Sequence, residues 1–176
     1  NGIEIPISKD KINLRNDYKV PKNKSILLMV STFEERKGHE FALDALRITL
    51  NDRDDLHLLL VGDGTKTEIQ RVQRLIKERN LVNDVTITGK IENIANSMLG
   101  ADLVIIPSQD YESFALTAVE AMLNELPIVA TNVGGIPETI GEDGRCGFLV
   151  NPDDVSKFSQ KISYIIDNPE FSKNMG

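Results

Sequence analysis

Hydrophobic positions along the chain fall into short unbroken runs, separated by longer segments where they recur every three or four residues. Ile26 to Val30 (ILLMV), Leu56 to Val61 (LHLLLV), Leu103 to Pro107 (LVIIP) and Pro127 to Thr131 (PIVAT) are the unbroken runs. Such runs mark strands buried on both faces. Val85 to Thr88 and Gly147 to Val150 read as two shorter strands. Between them lie helical periods: Phe41, Ala42, Ala45, Leu46, Thr49 and Leu50; Ile69, Val72, Leu75 and Ile76 within Thr65 to Asn80; a small helix around Ile91 to Leu99; and, within Tyr111 to Asn124, a helix that opens where Glu112 ends a loop. A helix opening at Pro137 and a closing one over Val155 to Ile166 complete the series. Strand alternating with helix predicts an α/β fold, a parallel sheet flanked by helices. The domain spans residues 25–168, preceded by an extended connector over residues 1–24 and followed at 169–176 by the start of a further helix.

The order is Rossmann-like, and its punctuation is sorted. Ser31 to Gly38, Gly62 to Gly64, Gly89 to Ile91, Ser108 to Ser113 and Thr131 to Gly135 all leave the carboxyl ends of strands. In open parallel sheets that edge is where ligands bind. Asn51 to Asp55 and Asn80 to Asp84, plain polar turns, fall at the other edge.

The segment YESFALTAVEAMLN (Tyr111–Asn124) is the centre of this arrangement. Apolar residues occupy almost all of its helical wheel, as in a helix buried on several sides. Ser113, Thr117, Glu120 and Asn124 are spaced by four, three and four, which stacks them in one stripe. Either this stripe faces water, or it meets a polar ligand. A helix N-terminus at a strand's carboxyl end offers free amides and partial positive charge to a phosphate. Glu112 and Glu120 are more than two helical turns apart, too far for shared acid and base work on one bond. They suit two parts of one elongated ligand.

Other candidates carry a plain reading beside the functional one. Arg36 and Lys37 could meet a pyrophosphate as fork and point charge, or pair within the run Glu34 to Lys37. Gly62-Asp63-Gly64 resembles a nucleotide-loop turn but lacks a full GxGxxG, which argues against a dinucleotide enzyme. Gly134-Gly135 either brings backbone to a ligand or permits a turn. His57 lies inside a strand run and reads as structural, while His39, beside the Lys37 loop, stays open.

Composition narrows the partners. Across 176 residues, 27 acidic against 20 basic side chains give a net charge of −7, which argues against nucleic acid or an anionic membrane. A phosphate must then be met locally. Cys146 is the only cysteine, so no intrachain disulfide forms, and no Cys/His cluster has metal spacing. No apolar run approaches the roughly 20 residues that span a bilayer. The chain does not begin with methionine, so an excised piece of a longer protein is expected.

An ordered series of short motifs resembles the carboxyl-terminal, donor-binding half of a retaining glycosyltransferase of the two-Rossmann (GT-B) type. In chain order these are Asn1-Gly2-Ile3-Glu4, Lys37-Gly38, Val61-Gly62-Asp63-Gly64, Ala101-Asp102 through Pro107-Ser108, Glu112 with Glu120 (E-x7-E), Gly134-Gly135-Ile136-Pro137-Glu138, and Gly147-Phe148-Leu149-Val150 ahead of Pro152 and Asp153. The resemblance implies transfer of a hexosyl group from a nucleotide diphosphate sugar to a glycan or lipid-linked acceptor, with retention and with no metal or other cofactor, as in polysaccharide assembly. It implies catalytic roles for Glu112 and Lys37. Donor contacts would come from Glu120 on the ribose, from Ser113, Phe114, Ala115, Leu116 and Thr117 on the diphosphate with Arg36, from Gly62, and from Lys90 and Ile91 near the base. It also implies an amino-terminal acceptor-binding domain outside this chain, without which the piece would be inactive. A cytoplasmic location follows, with that absent domain as the part that would meet the inner membrane face.

Three positions depart from the family pattern. Ser31-Thr32 stands where a Gly-Arg pair is usual, so the diphosphate's arginine is missing, and Arg36 or Lys90 is left to replace it. Ser113 and Ala115 replace glycines, and Glu125 occupies another glycine position. A nucleotide-sugar epimerase of the same build and a degenerate, non-catalytic donor domain remain as alternatives.

Overall fold

The apolar runs become the strands of a single sheet. The computed structural model describes residues 13–92, 94–141 and 145–170. Strands β1 (Ser25–Val30), β2 (Leu56–Val61), β3 (Val85–Gly89), β4 (Leu103–Ile106), β5 (Ile128–Thr131) and β6 (Gly147–Val150) are arranged in the order β3-β2-β1-β4-β5-β6. Every neighbouring pair is parallel. The chain builds outward from β1 to β3, then returns to lay β4 beside β1 and builds the other way. That reversal opens a crevice between the loops that follow β1 and β4.

Alternation within each strand sends side chains to two cores. Leu27, Met29, Leu58, Leu60, Leu103 and Ile105 pack on one face with Ala42, Leu46, Val72, Phe158 and Ile162. These last come from helices α2 (His39–Thr49), α3 (Lys66–Glu78) and α7 (Val155–Asp167). Ile26, Leu28, Leu59, Val61, Val104, Ile106 and Ile128 point the other way, against Met98, Ala118, Ala121, Ile136 and Ile140. Those belong to α4 (Ile94–Met98), α5 (Leu116–Leu123) and α6 (Ile136–Ile140). A strand buried on both faces has no polar side to expose, which is why these stretches read as unbroken apolar runs. Among the described residues no helix is long and apolar enough to cross a membrane.

Two expectations are corrected. The connector is not extended over its described part: helix α1 (Leu14–Asp17) forms there, capped by the Asn13 side chain accepting from the Asn16 amide at 3.1 Å. Leu14 and Val20 are buried in the second core. Four residues are too few to show a helical period, so the sequence carried no signal of this. Residues 1–12, with the junction motif Asn1 to Glu4, and residues 171–176 lie outside the described residues.

The second correction concerns the central helix, which starts at Leu116 and not near Glu112. A helix through Glu112 would need its carbonyl to accept from the amide four residues on. That carbonyl instead accepts from the amide of Gly135 at 2.6 Å, and the Leu116 amide turns back to Phe114. Residues 112–115 are therefore loop, and Ser113 leaves the helical stripe. The helix is also less buried than its composition suggests, with Leu116 and Leu123 exposed.

Leu14→Ala is expected to destabilise the fold by about 2–5 kcal/mol, the cost of a core leucine. Denaturant unfolding checks this; a change within ~0.5 kcal/mol is what an unpacked connector would give.

Candidate active site

The loops at the reversal point enclose a groove of about 560 Å³. Residues from the carboxyl ends of β1 to β4 line it: Thr32, Glu34, Arg36 and Lys37 after β1, Gly62 and Asp63 after β2, Lys90 after β3, and Pro107, Ser108, Glu112, Phe114, Ala115, Leu116 and Thr117 after β4. Its size suits a small-molecule ligand.

Backbone contacts fix the two central loops to each other. Gly38 has φ 77°, and a Cβ there would lie 1.8 Å from the Pro107 carbonyl oxygen, so only glycine lets the β1 loop close on the β4 loop. Beside it, the Gln109 amide donates to the Arg36 carbonyl at 2.7 Å. The Gly134-Gly135 turn, read as ligand contact or simple turn, instead braces the Glu112 loop. A Cβ on Gly134 would lie 2.3 Å from the Glu112 oxygen, and one on Gly135 would lie 2.5 Å from the Ser113 oxygen. Glu112 is thus held from behind by backbone that tolerates no side chain.

On that frame Lys37 Nζ donates to Glu112 Oε2 at 2.5 Å, with both side chains mostly buried. Ser108 Oγ lies 3.4 Å from the same oxygen and Arg36 Nη1 3.9 Å from it. Arg36 Nε donates to Glu34 Oε2 at 2.7 Å, and that contact holds the Glu34 carboxyl below the usual carboxylate range. Of the run Glu34 to Lys37, Arg36 pairs within it, as the plain reading has it, and Lys37 leaves it for Glu112.

Helix α5 points its N-terminus into the groove. Its N-cap, Ala115, has no side-chain acceptor to offer, whereas α3 closes its start with a Thr65–Glu68 capping box. No side chain caps this start; the Leu116 amide meets Phe114 two residues back, and the Ala118 and Val119 amides return to Ala115. Further along, Thr117 Oγ1 donates to the Val30 carbonyl at 3.3 Å and Asn124 Nδ2 to the Glu120 carbonyl at 2.8 Å. The polar stripe is thus partly occupied by the helix's own surroundings. Glu120 is half-buried, and among the described residues its carboxylate has no hydrogen-bond or ion-pair partner. Burial alone pushes its pKa up.

The twelve residues expected at a site therefore fall as follows. Lys37, Glu112, Arg36, Gly62, Lys90, Phe114, Ala115, Leu116 and Thr117 line one groove. Ser113, Glu120 and Ile91 do not: Ser113 is exposed beside it, Glu120 lies along α5 beyond the lining, and Ile91 packs against the second core. Thr32, Glu34 and Ser108 also line the groove, although the sequence marked them only as a departure, a member of a charged run and the end of a motif, with no contact assigned. Both histidines stand apart. His57 Nε2 pairs with Thr86 Oγ1 at 2.9 Å. His39 stacks on Phe33 and is driven to about 4 by burial, then by the nearby Arg71 charge. It is neutral at physiological pH. Among the described residues no three His, Cys, Asp or Glu side chains converge to hold a metal ion.

The sheet order and the crevice define a Rossmann-like half of the kind found in GT-B glycosyltransferases, and the chain belongs to the group 1 glycosyl transferases, whose family profile matches residues 10–176. N-acetyl-alpha-D-glucosaminyl L-malate synthase of Bacillus anthracis is 31% identical over 172 residues, which is 98% of this chain and 44% of that protein. The crystal structure of Anabaena Alr3699/HepE in complex with UDP and glucose superimposes with a TM-score of 0.85 at 28% identity, over 92% of this chain and 44% of that one. A glycosyltransferase from Rickettsia africae gives 0.83 at 30%, over 92% and 43%. The chain spans less than half the length of these relatives.

A carboxyl whose pKa is raised on folding binds its proton more tightly in the folded state, so stability falls as pH rises through that window. Glu120→Gln is therefore expected to raise the melting temperature of the ligand-free protein at neutral pH by roughly 1–3 °C. The gain should shrink as the pH is lowered toward the ordinary carboxylate range. Calorimetric melts across pH check it.

Proposed function

We propose that this chain is the donor half of a glycosyltransferase, gripping a nucleotide diphosphate sugar in the crevice between β1 and β4. The observation that carries the reading is the convergence of Lys37 and Glu112 at the uncapped start of α5. Diphosphate oxygens would accept from the first amides of α5 and from Lys37. Glu120, desolvated and without a partner among the described residues, would accept from the ribose hydroxyls. The base would lie toward Lys90 and Ile91, which follow β3, and the sugar at Glu112.

Chemically, the demand is on the leaving group. As the bond from the anomeric carbon to the diphosphate oxygen breaks, its electron pair stays on the diphosphate. Donors aimed at that oxygen stabilise the charge as it develops. Lys37 and the α5 amides would supply this. An acceptor hydroxyl bonds to the anomeric carbon and gives up its proton. Retention of configuration rests on family membership, as does a glycan or lipid-linked acceptor. Acceptor choice, and any association with the inner face of a membrane, would belong to the remainder of a longer polypeptide, as the partial span of the relatives suggests.

Ligand exchange would precede chemistry. In the free groove Lys37 holds Glu112, and a bound diphosphate would take Lys37 and release the carboxylate toward the sugar. Calorimetry with UDP, GDP and ADP is expected to give a dissociable complex with one of them, unaffected by EDTA. Glu120→Ala and Lys37→Ala should each weaken it by about tenfold or more, a loss of roughly 1.4 kcal/mol. Equal heats for the wild type and both variants would overturn the reading.

A further inference from the structure

The groove carries balanced charge: Arg36, Lys37 and Lys90 face Glu34, Asp63 and Glu112. A diphosphate needs more cation than Lys37 provides, and Thr32 stands where the resembled family has its arginine. Lys90 is poorly placed to compensate. It follows β3, three strand spacings from β4 in the sheet order, or roughly 14 Å. Arg36 follows β1, next to β4, and its backbone is pinned to the β4 loop through Gln109.

The Arg36 side chain is also oriented. Thr32 Oγ1 donates to Glu34 Oε1 at 2.8 Å, and the other oxygen of Glu34 accepts from Arg36 Nε at 2.7 Å. Holding a guanidinium by Nε leaves its two terminal nitrogens to form a fork for another acceptor. One of them, Nη1, already lies 3.9 Å from the Glu112 oxygen that binds Lys37. The hydroxyl at position 32 thus serves an arginine four residues on, in place of being one.

We propose that Arg36 is the second cation on the donor diphosphate, and that Glu34, itself fixed by Thr32, is the residue that positions it. This rests on the donor reading above. It makes a prediction of unusual sign. A carboxylate lining an anion site should repel the anion, so removing Glu34 should tighten diphosphate binding if Coulomb repulsion were its only effect. A positioning role requires the reverse, and requires it only while Arg36 is present.

Calorimetry on the protein with UDP and UMP, and with the guanosine and adenosine pairs, decides between them. Arg36→Ala should weaken the diphosphate about tenfold and the monophosphate less than about threefold, since one charge-assisted fork is lost. Glu34→Ala should weaken the diphosphate roughly threefold and Thr32→Val less, with Thr32→Ser restoring wild-type binding. The double variant Arg36→Ala with Glu34→Ala should bind no more weakly than Arg36→Ala alone. Arg36 and Glu34 are 40% and 43% exposed, so melting temperatures should hold throughout. Tighter binding by Glu34→Ala, or an equal loss on mono- and diphosphate in Arg36→Ala, overturns the relay while leaving the donor reading intact. A wild type that binds no nucleoside diphosphate overturns both.

Discussion

The hydrogen bond from the Gly135 amide to the Glu112 carbonyl decides the shape of the site. Without it, the apolar segment from Phe114 onward would extend its helix back through Glu112, because that carbonyl would be free for the Leu116 amide. With it, the helix begins one turn later and Glu112 projects from a braced loop toward Lys37. A turn that follows β5 thereby positions a side chain that follows β4. Two adjacent glycines are needed because the backbones touch, and any Cβ would fall within the neighbouring peptide.

Electrostatics follow from that placement. Taking Lys37 and Glu112 partly out of water costs each its hydration, and their mutual bond offsets the loss. Arg36 and Lys37 are matched in this way to Glu34 and Glu112. The pairing also confines attraction for phosphate to a few donors, in keeping with a net charge of −7 that repels polyanions at large. Glu120 is the counterexample: among the described residues nothing compensates the desolvation of its carboxylate.

The layers of the fold were legible in the sequence because a strand covered on both sides must be apolar at every position, and the runs at Ile26, Leu56, Leu103 and Ile128 satisfy that. The parallel arrangement followed from the strand and helix alternation. The groove was legible through its glycines and through the Lys37-Gly38 and Glu112 to Glu120 spacings. What stayed hidden was tertiary in origin. Leu14 packs through contacts that no local period announces, and the start of α5 is set by Gly135, a residue distant in sequence. The Thr32–Glu34–Arg36 chain was invisible for another reason: a run of mixed charges looks alike whether its members face water or a crevice.

The reversal that makes the crevice also sets an order of assembly. β1 pairs with β2 across a short helical connection, but its other edge waits for Leu103 and Val104, more than seventy residues downstream. Until those emerge, a nascent chain presents Leu27 and Leu28 along an unpaired apolar edge, the kind of template to which stray strands add. Asp102, which accepts from the Ile26 amide at 2.7 Å, ties the closing strand to β1 at its start. The crevice is consequently the last part of the sheet's centre to close, and a chain halted before Leu103 would be left with that edge open.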